Sequence, residues 1–375
     1  MKLNLLLTAF TLLTFSTILT AQSCANYTVT RNTGVTYTSI NTGDASNFIW
    51  RNTTGNQNDD NRSYPANIGF DFWYLGTRYT TVSASLNGTI DFSSSTEDGN
   101  SGGARPYGPN YNNWFSKSNG THLALAPMYD DLWTGGGGSE PIAASLIYKL
   151  SGTAPNRVLT VEWVNFDEYN SGTGSINFQI KLYETSGVIE FIYGTMLAGS
   201  EPYHYACGIN SNWSSGSTTT KRLLTQQTAN TTSFGKNASN TLSNIPASNS
   251  KLTFTPPTPS AAPGSLVFSS VSKTSMNLSW NDNTNNEIGY VLYNSTDNVN
   301  FNFVSQVTSN SCSVSDLLPN TNYYWQVYAV TEGSLSNALT GTKKTLPAGT
   351  IRAKASSNWN STSTWDCNCI PSQGD

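Results

Sequence analysis

The sequence predicts an all-β protein built from two β-sandwich domains, the first of them a jelly-roll or similar sandwich. Charged residues make up only 11% of the chain, against about 25% in ordinary soluble proteins, and aromatic residues reach 12%. Between residues 26 and 255, short aromatic or β-branched runs alternate with turn-rich stretches, and no window shows a sustained helical period. A proline-rich run at 255–259 then interrupts strand pairing.

The clearest strands lie between residues 157 and 194. Their apolar residues alternate with polar ones, as expected for half-buried strands, at 158–164, 178–182 and 188–193. The second and third are separated by a short turn ending at Gly187, which predicts a hairpin that points Phe178, Ile180 and Leu182 into a core. Asn87 and Gly88, between two other alternating runs, predict a second hairpin.

The first 21 residues indicate a secretory signal peptide. Lys2 precedes an apolar stretch from residue 5 to 19, and the segment ends at Ala21. Hydroxyl residues within the stretch weaken the alternative, a membrane anchor. A lipid-modified Cys24 is disfavoured because no Leu lies three positions before it. After the signal peptide, the sequence contains no second apolar run of membrane-spanning length. We expect a secreted or cell-surface protein on the exterior of the outer membrane.

Charge and cysteine content narrow the partners and the covalent framework. The net charge is -4 and no run of five or more Lys or Arg is present, so we expect no nucleic-acid partner. Five cysteines are too few for a disulfide scaffold, but export allows a disulfide between Cys24 and Cys207. The sequence alone does not fix that pairing.

Proline-rich and glycine-rich stretches divide the chain. After the signal peptide (1–21), we expect a first domain over 24–255, a linker at 256–262 and a second domain over 263–346. Residues 347–375 then form a linker and the start of a third module that stops short. We therefore expect the chain to be a fragment of a longer polypeptide.

The second domain resembles the fibronectin type III family. Residues 317–330 are similar to its sixth strand, preceded by a corner with Leu317, Pro319 and Tyr323, and Trp280 is similar to its core tryptophan. The resemblance implies an immunoglobulin-like sandwich in which the Tyr323 hydroxyl folds back onto the backbone, and a domain acting partly as a spacer. The domain has no Arg-Gly-Asp tripeptide, so adhesion through that motif is not supported.

The first domain resembles, more loosely, a β-rich ectodomain module of secreted Bacteroidetes-type proteins that is similar to the nidogen-like extracellular domain. The residues that carry this likeness are 68–74, 87–88, 127–132, 153–157 and 189–191. It implies adhesion or matrix roles and no catalytic residues. Residues 353–375 resemble the opening of a further surface module, often a β-helical repeat domain.

No catalytic motif stands in the structural context that its chemistry needs. The Gly-x-Ser-x-Gly pattern at 99–103 lacks a strand before it and a helix after it. The two histidines, His122 and His204, are too far apart for a local metal or triad motif. Glu162 and Glu190 are interpreted as solvent-facing acids of neighbouring strands rather than as a glycosidase pair. We therefore predict a protein that is not an enzyme and needs no cofactor.

Two sets of residues are candidates for ligand binding. Asp130 and Asp131, beside a glycine loop at 135–138, suggest calcium binding, although capping of a turn is the favoured alternative. Flat rings in or beside polar loops suggest stacking on sugars. These aromatic candidates are Trp114, Trp133, Trp213 and Tyr129.

The leading functional hypothesis is a non-catalytic, secreted or cell-surface modular protein for adhesion or ligand binding, with an extracellular protein or a glycan as partner. One alternative is a carbohydrate-binding module that uses the loop tryptophans. The other is an accessory region of a larger secreted hydrolase whose catalytic domain lies past Asp375.

Overall fold

The computed structural model describes residues 24–41, 43–51, 61–92, 124–134, 144–169, 174–199, 205–210, 222–228, 231–235, 245–349, 358–365 and 370. Their regular structure is β-strand, apart from 3₁₀ turns such as Cys24–Asn26 and Thr362–Thr364. The predicted all-β class is confirmed. Within these residues we find no helix with the length and apolar character needed to cross a bilayer.

The first domain is a sandwich of two antiparallel sheets. The first sheet has the order β1 (Thr28–Thr33), β15 (Ser250–Thr255), β11 (Ile189–Leu197), β10 (Ser175–Tyr183), β9 (Val158–Glu168), β8 (Ser145–Ser151) and β2 (Ser46–Asn47), with β7 (Leu132–Trp133) paired to β9. The second has the order β14 (Thr231–Gly235), β13 (Arg222–Thr228), β12 (Ala206–Asn210), β6 (Ala124–Tyr129), β5 (Thr89–Asp91), β4 (Thr77–Ser85) and β3 (Ala66–Tyr74).

Aromatic side chains join the two sheets through the core. Phe178 is fully buried, as its alternation predicts, and its ring stacks on Trp163 with the centroids 4.9 Å apart. The Trp163 indole Nε1 donates a hydrogen bond to the carbonyl of Ser85 in the opposite sheet, at 3.0 Å. Both predicted hairpins are present, as β10–β11 and β4–β5. The apolar face of each sheet is therefore buried against the other.

The outer face of the first sheet is covered by the chain itself. Because β1 lies at one edge of this sheet and β2 at the other, the segment between them has to cross the strands in between. We call this segment, residues 34–45, the strap; it is described except for residue 42. Its contacts follow the strand order: Val35 N with Asn249 O (2.9 Å), the Tyr37 ring on Gly194, Thr38 O with Gln179 Nε2 (2.9 Å), Ile40 N with Glu162 Oε2 (2.6 Å), and Asp44 with Lys149 Nζ (2.6 Å).

The strap buries a carboxylate that the sequence places in solvent. Glu162 is fully buried; Tyr37 OH donates to Oε1 at 2.6 Å and Ile40 N donates to Oε2 at 2.6 Å. Burial, and then the Glu162 carboxylate, raise the pKa of Tyr37. Glu190 is also buried, with Lys251 Nζ 2.5 Å from its Oε1. The prediction that Glu162 and Glu190 face solvent is wrong, because the strap covers one and Lys251 the other.

The second domain is a sandwich of three and four strands. One sheet has the order β16 (Gly264–Ser269), β17 (Met276–Asn281), β20 (Ser311–Val314), and the other β19 (Asn302–Val307), β18 (Gly289–Ser295), β21 (Asn322–Val330), β22 (Leu339–Lys344). Trp280 and Leu317 are buried between them. The Tyr323 hydroxyl accepts a hydrogen bond from Leu318 N at 2.8 Å, and the carbonyl of Pro319 accepts one from Thr321 Oγ1 at 2.9 Å. These bonds fix the corner before β21.

We predict that Gly194→Ala destabilises the first domain by displacing the strap. A Cβ at this position would lie 2.8 Å from the Tyr37 ring, which its hydroxyl bond to Glu162 holds in place. Overpacking of this kind costs about 1–3 kcal/mol. The free energy of unfolding, measured by urea denaturation, should fall by that amount.

Gly43→Ala is the matched control within the strap. A Cβ at position 43 meets no atom within 4 Å, so the free energy of unfolding should change by less than about 0.5 kcal/mol. Equal effects from the two substitutions would contradict the predicted packing of Tyr37 on Gly194.

We predict that the Glu190 ion pair contributes stability that is lost in acid. Burial alone raises the pKa of Glu190, but hydrogen bonds from Lys251, Tyr183 and Thr253 outweigh it and leave this pKa lowered. A lowered folded-state pKa stabilises the protein above the unfolded value of about 4.3, and this contribution disappears as the pH falls through the folded value. Urea midpoints of wild type and Glu190→Gln should therefore differ at pH 7, and the difference should shrink as the pH falls below the unfolded value. A constant difference would contradict the assignment.

Candidate ligand-binding site

A short two-stranded ribbon stands at one end of the first domain. β7 pairs with the end of β9, with Leu132 opposite Glu168 and Trp133 opposite Asp167. The backbone N–H of Tyr169 then donates to the carbonyl of Asp131 at 2.8 Å. We call residues 131–134 and 167–169 the ribbon. Backbone hydrogen bonds hold both segments of the ribbon, so the aromatic rings of Trp133 and Tyr169 have defined positions.

The Asn87–Gly88 turn supports the base of the ribbon. Asn87 Oδ1 accepts a hydrogen bond from Leu132 N at 3.1 Å. Gly88 has φ +77° and packs so closely that a Cβ would lie 1.9 Å from the carbonyl oxygen of Met128. Only glycine both adopts this positive φ without strain and leaves room for the Met128 carbonyl. The same two residues that predict the hairpin therefore also position the ribbon.

Acidic side chains hold the ribbon's turns. Asp130 is fully buried, and its Oδ1 accepts from Asp131 N at 3.0 Å. Asp167 accepts from Glu168 N through Oδ1 and from Gly174 N through Oδ2, both at 2.8 Å. Carboxylates bonded to backbone N–H groups in this way stabilise turns.

The calcium hypothesis for Asp130 and Asp131 stays a prediction. The glycine loop at 135–138 lies outside the described residues. Among the residues that are described, no group of three or more His, Cys, Asp or Glu side chains is arranged to hold a metal ion. The bond from Asp131 N to Asp130 supports the alternative, in which Asp130 caps a turn.

Two aromatic rings meet at the surface of the ribbon. Trp133 and Tyr169 lie edge to face, with centroids 5.3 Å apart and an angle of 68° between the rings. Trp133 is half-buried and Tyr169 is 41% exposed. Edge-to-face packing of this kind favours a defined relative orientation of the two rings, and both rings keep part of their surface exposed. The pair could stack on the apolar face of a sugar or an aromatic side chain of a protein.

The ribbon lies at the end of the sandwich that faces away from the second domain. Val158 of β9 pairs with Tyr183 near one end of the sheet, and Phe166 pairs with Ile176 near the ribbon. The turn after Tyr183 contacts the second domain, where a Cβ on Gly187 would lie 1.7 Å from the carbonyl oxygen of Gly333. β9 has 11 residues, so the two ends are about 35 Å apart at roughly 3.3 Å per residue.

The structure brings together only part of the predicted aromatic set. Trp133 lies in the ribbon, whereas Tyr129, 4% exposed, packs in the interior at the end of β6 and has no face open to a ligand. This burial corrects the prediction that the ring of Tyr129 stacks on a ligand. Trp114 and Trp213 lie outside the described residues, as do His122 and His204.

Cys24 and Cys207 are buried in the same apolar core. The Cys207 Sγ lies 3.2 Å from the hydroxyl of Tyr193, and burial, followed by Cys207, raises the pKa of that tyrosine. Both cysteines carry thiols in the structure. The predicted disulfide stays a prediction.

Sequence reasoning missed Tyr169, the partner of Trp133. The residue follows the last alternating position of β9, but nothing in its local pattern shows that β7 pairs there. Glu162 and Glu190 do not contribute to the ribbon, since the strap and Lys251 occupy their carboxylates.

Comparisons with known proteins identify both domains. Residues 26–256 match the family model described as NIDO related, and residues 261–342 match the fibronectin type III domain. These domains are typical of extracellular modular proteins and are typically non-catalytic. The search of curated proteins found no match.

Solved structures similar to this chain are fibronectin type III domains. One is described as the crystal structure of FN3tt, at 26% identity and a TM-score of 0.22, covering 24% of this chain and 97% of that chain. Another is a human collagen XX domain at 26% identity and a TM-score of 0.21, covering 22% of this chain and 88% of that chain. A human contactin 1 domain has 23% identity and a TM-score of 0.23, covering 26% and 86%. The family match over residues 26–256 is decisive: the chain belongs to the NIDO-related family and carries a fibronectin type III domain behind its NIDO-related domain.

Proposed function

We propose that this chain is a non-catalytic extracellular binding protein, used for adhesion or ligand presentation, that holds its ligand at the ribbon. The observation that carries the proposal is the Trp133–Tyr169 pair, fixed edge to face on a tied backbone and partly open to solvent. Aromatic rings that are partly exposed at fixed positions can supply apolar contact area to a ligand.

The position of the ribbon supports the same function. It lies at the end of the NIDO-related domain that faces away from the fibronectin type III domain, so the second domain does not cover it. The domain composition, typical of extracellular modular proteins, is consistent with such a partner.

A glycan is the second candidate for the ligand, favoured by the chemistry of the ribbon. Indole and phenol faces stack on the C–H faces of sugar rings, and neighbouring carboxylates accept hydrogen bonds from hydroxyl groups. Asp131, at the start of the ribbon, is half-buried and is the carboxylate that we propose for this role. In this role the first domain acts as a carbohydrate-binding module.

Binding of the purified chain to a glycan array and to immobilised extracellular matrix proteins tests the proposal. We predict that Trp133→Ala and Tyr169→Ala each weaken binding to whichever surface retains wild type by about 10-fold or more, because burying an aromatic side chain contributes roughly 1.5–3 kcal/mol.

Tyr64→Ala is the matched control, since Tyr64 is 52% exposed but lies outside the ribbon. It should leave binding unchanged, and circular dichroism should show all three variants folded. Unaltered affinity in both ribbon variants would remove the ribbon as the binding site. Retention on glycans alone or on proteins alone separates the two ligand classes.

A further inference from the structure

We infer that the fibronectin type III domain is not a spacer but a fixed base: its four-stranded sheet is the docking surface for the β3–β4 hairpin of the first domain, and residues 26–344 unfold as one unit. The inference goes beyond the proposed ligand-binding function and does not depend on it. It rests on three sets of contacts between the two domains.

The first set is an apolar cluster that is separate from both domain cores. Trp73, at the end of β3, is buried against Val291 of β18 and Val330 of β21, both of them fully buried. These valines project from the face of the four-stranded sheet opposite to its own core, which contains Tyr290 and Leu292. A sheet face that excludes water in this way stabilises the contact between the domains in proportion to the apolar area buried. Half-buried side chains complete the cluster: Ile288, Tyr293, Phe303, Tyr328 and Leu335.

The second set is a charged layer at the edge of this cluster. Arg78 of β4 forms a salt bridge with Asp71 at 2.8 Å, and its guanidinium lies 4.5 Å from the centroid of the Phe303 ring in β19. The hydroxyl of Tyr293 donates to Asp71 Oδ2 at 2.7 Å. Two ionic side chains of the first domain are thus held by two aromatic side chains of the second. These contacts fix the orientation of the two domains relative to each other, because a cation–π contact and a hydrogen bond have geometric requirements that apolar contact lacks.

The third set consists of hydrogen bonds and close contacts around two turns of the first domain. Gly76, in the β3–β4 turn, donates its N–H to the carbonyl of Glu332 at 2.9 Å and accepts a hydrogen bond from Gln306 Nε2 at 2.5 Å. Asn26 Nδ2 also donates to the Glu332 carboxylate. On the other side of the junction, the β10–β11 turn meets Gly333 without room for a side chain at Gly187. The hairpin turn is therefore enclosed by β19 and by the loop after β21.

Two consequences follow from these contacts. The occupied sheet face is closed to any external partner of the second domain, so ligands reach this chain elsewhere. In addition, the proline-containing segment at 256–262 does not act as a hinge, because two side chains of the second domain hold its backbone. Thr331 Oγ1 donates a hydrogen bond to the Pro257 carbonyl, and Asn286 Nδ2 donates one to the Thr258 carbonyl at 2.9 Å.

Hydrogen exchange of the full chain in increasing urea, read by mass spectrometry, tests the inference. Peptides from β10 report on the first domain and peptides from β21 on the second. We expect coincident midpoints in the wild type. Val327→Ala, in the core of the second domain, should lower both midpoints equally. A shift confined to the β21 peptides would overturn the inference.

Variants at the interface identify which contact carries the coupling. Trp73→Ala should separate the β10 and β21 midpoints, and Val291→Ala, which removes less of the cluster, provides a milder second variant. Val267→Ala is the matched control, because Val267 is 54% exposed on the other sheet of the second domain, and it should leave the midpoints together. Midpoints that stay coincident in both interface variants would show that the hairpin is not the docking element.

Discussion

The buried carboxylate of Glu162 is the contact on which the first domain depends. A polar side chain without solvent is tolerated only when it is hydrogen-bonded, and the bonds to Glu162 from Tyr37 and Ile40 both come from the strap. The strap is thereby fixed across the strands and covers the middle of the outer face of the first sheet.

The two ends of the first domain have different roles. One end carries the β3–β4 and β10–β11 turns, which contact the second domain, and the other carries the ribbon with Trp133 and Tyr169. Rigid strands connect them, so the orientation of the base determines the direction in which the rings point. Ligand binding at the proposed site would therefore cost the ribbon little conformational freedom, which would favour affinity.

The sequence predicted the parts of this structure that follow from local alternation. The β9–β11 strands, their hairpin and the inward direction of Phe178 were readable because each strand has one apolar face. The burial of Glu162 could not be predicted, because a polar residue at an outward position gives no sign that a distant segment covers it. The docking of the second domain does have a signal in the sequence. Residues Tyr290–Tyr293 of β18 are apolar at successive positions, as in a strand that is buried on both faces. The partner itself, Trp73, is more than two hundred positions away and could not be named from the pattern.

The way in which the chain enters and leaves the first domain has a mechanical consequence. Thr28 of β1 pairs directly with Thr255 of β15, so tension between the start of β1 and the second domain acts at the open end of this ladder and would break its hydrogen bonds one after another. The fibronectin type III domain sits over that end, where Glu332 binds Asn26 and Tyr27 and Thr331 binds Pro257. A load on the molecule therefore has to detach the second domain before the strands can unzip.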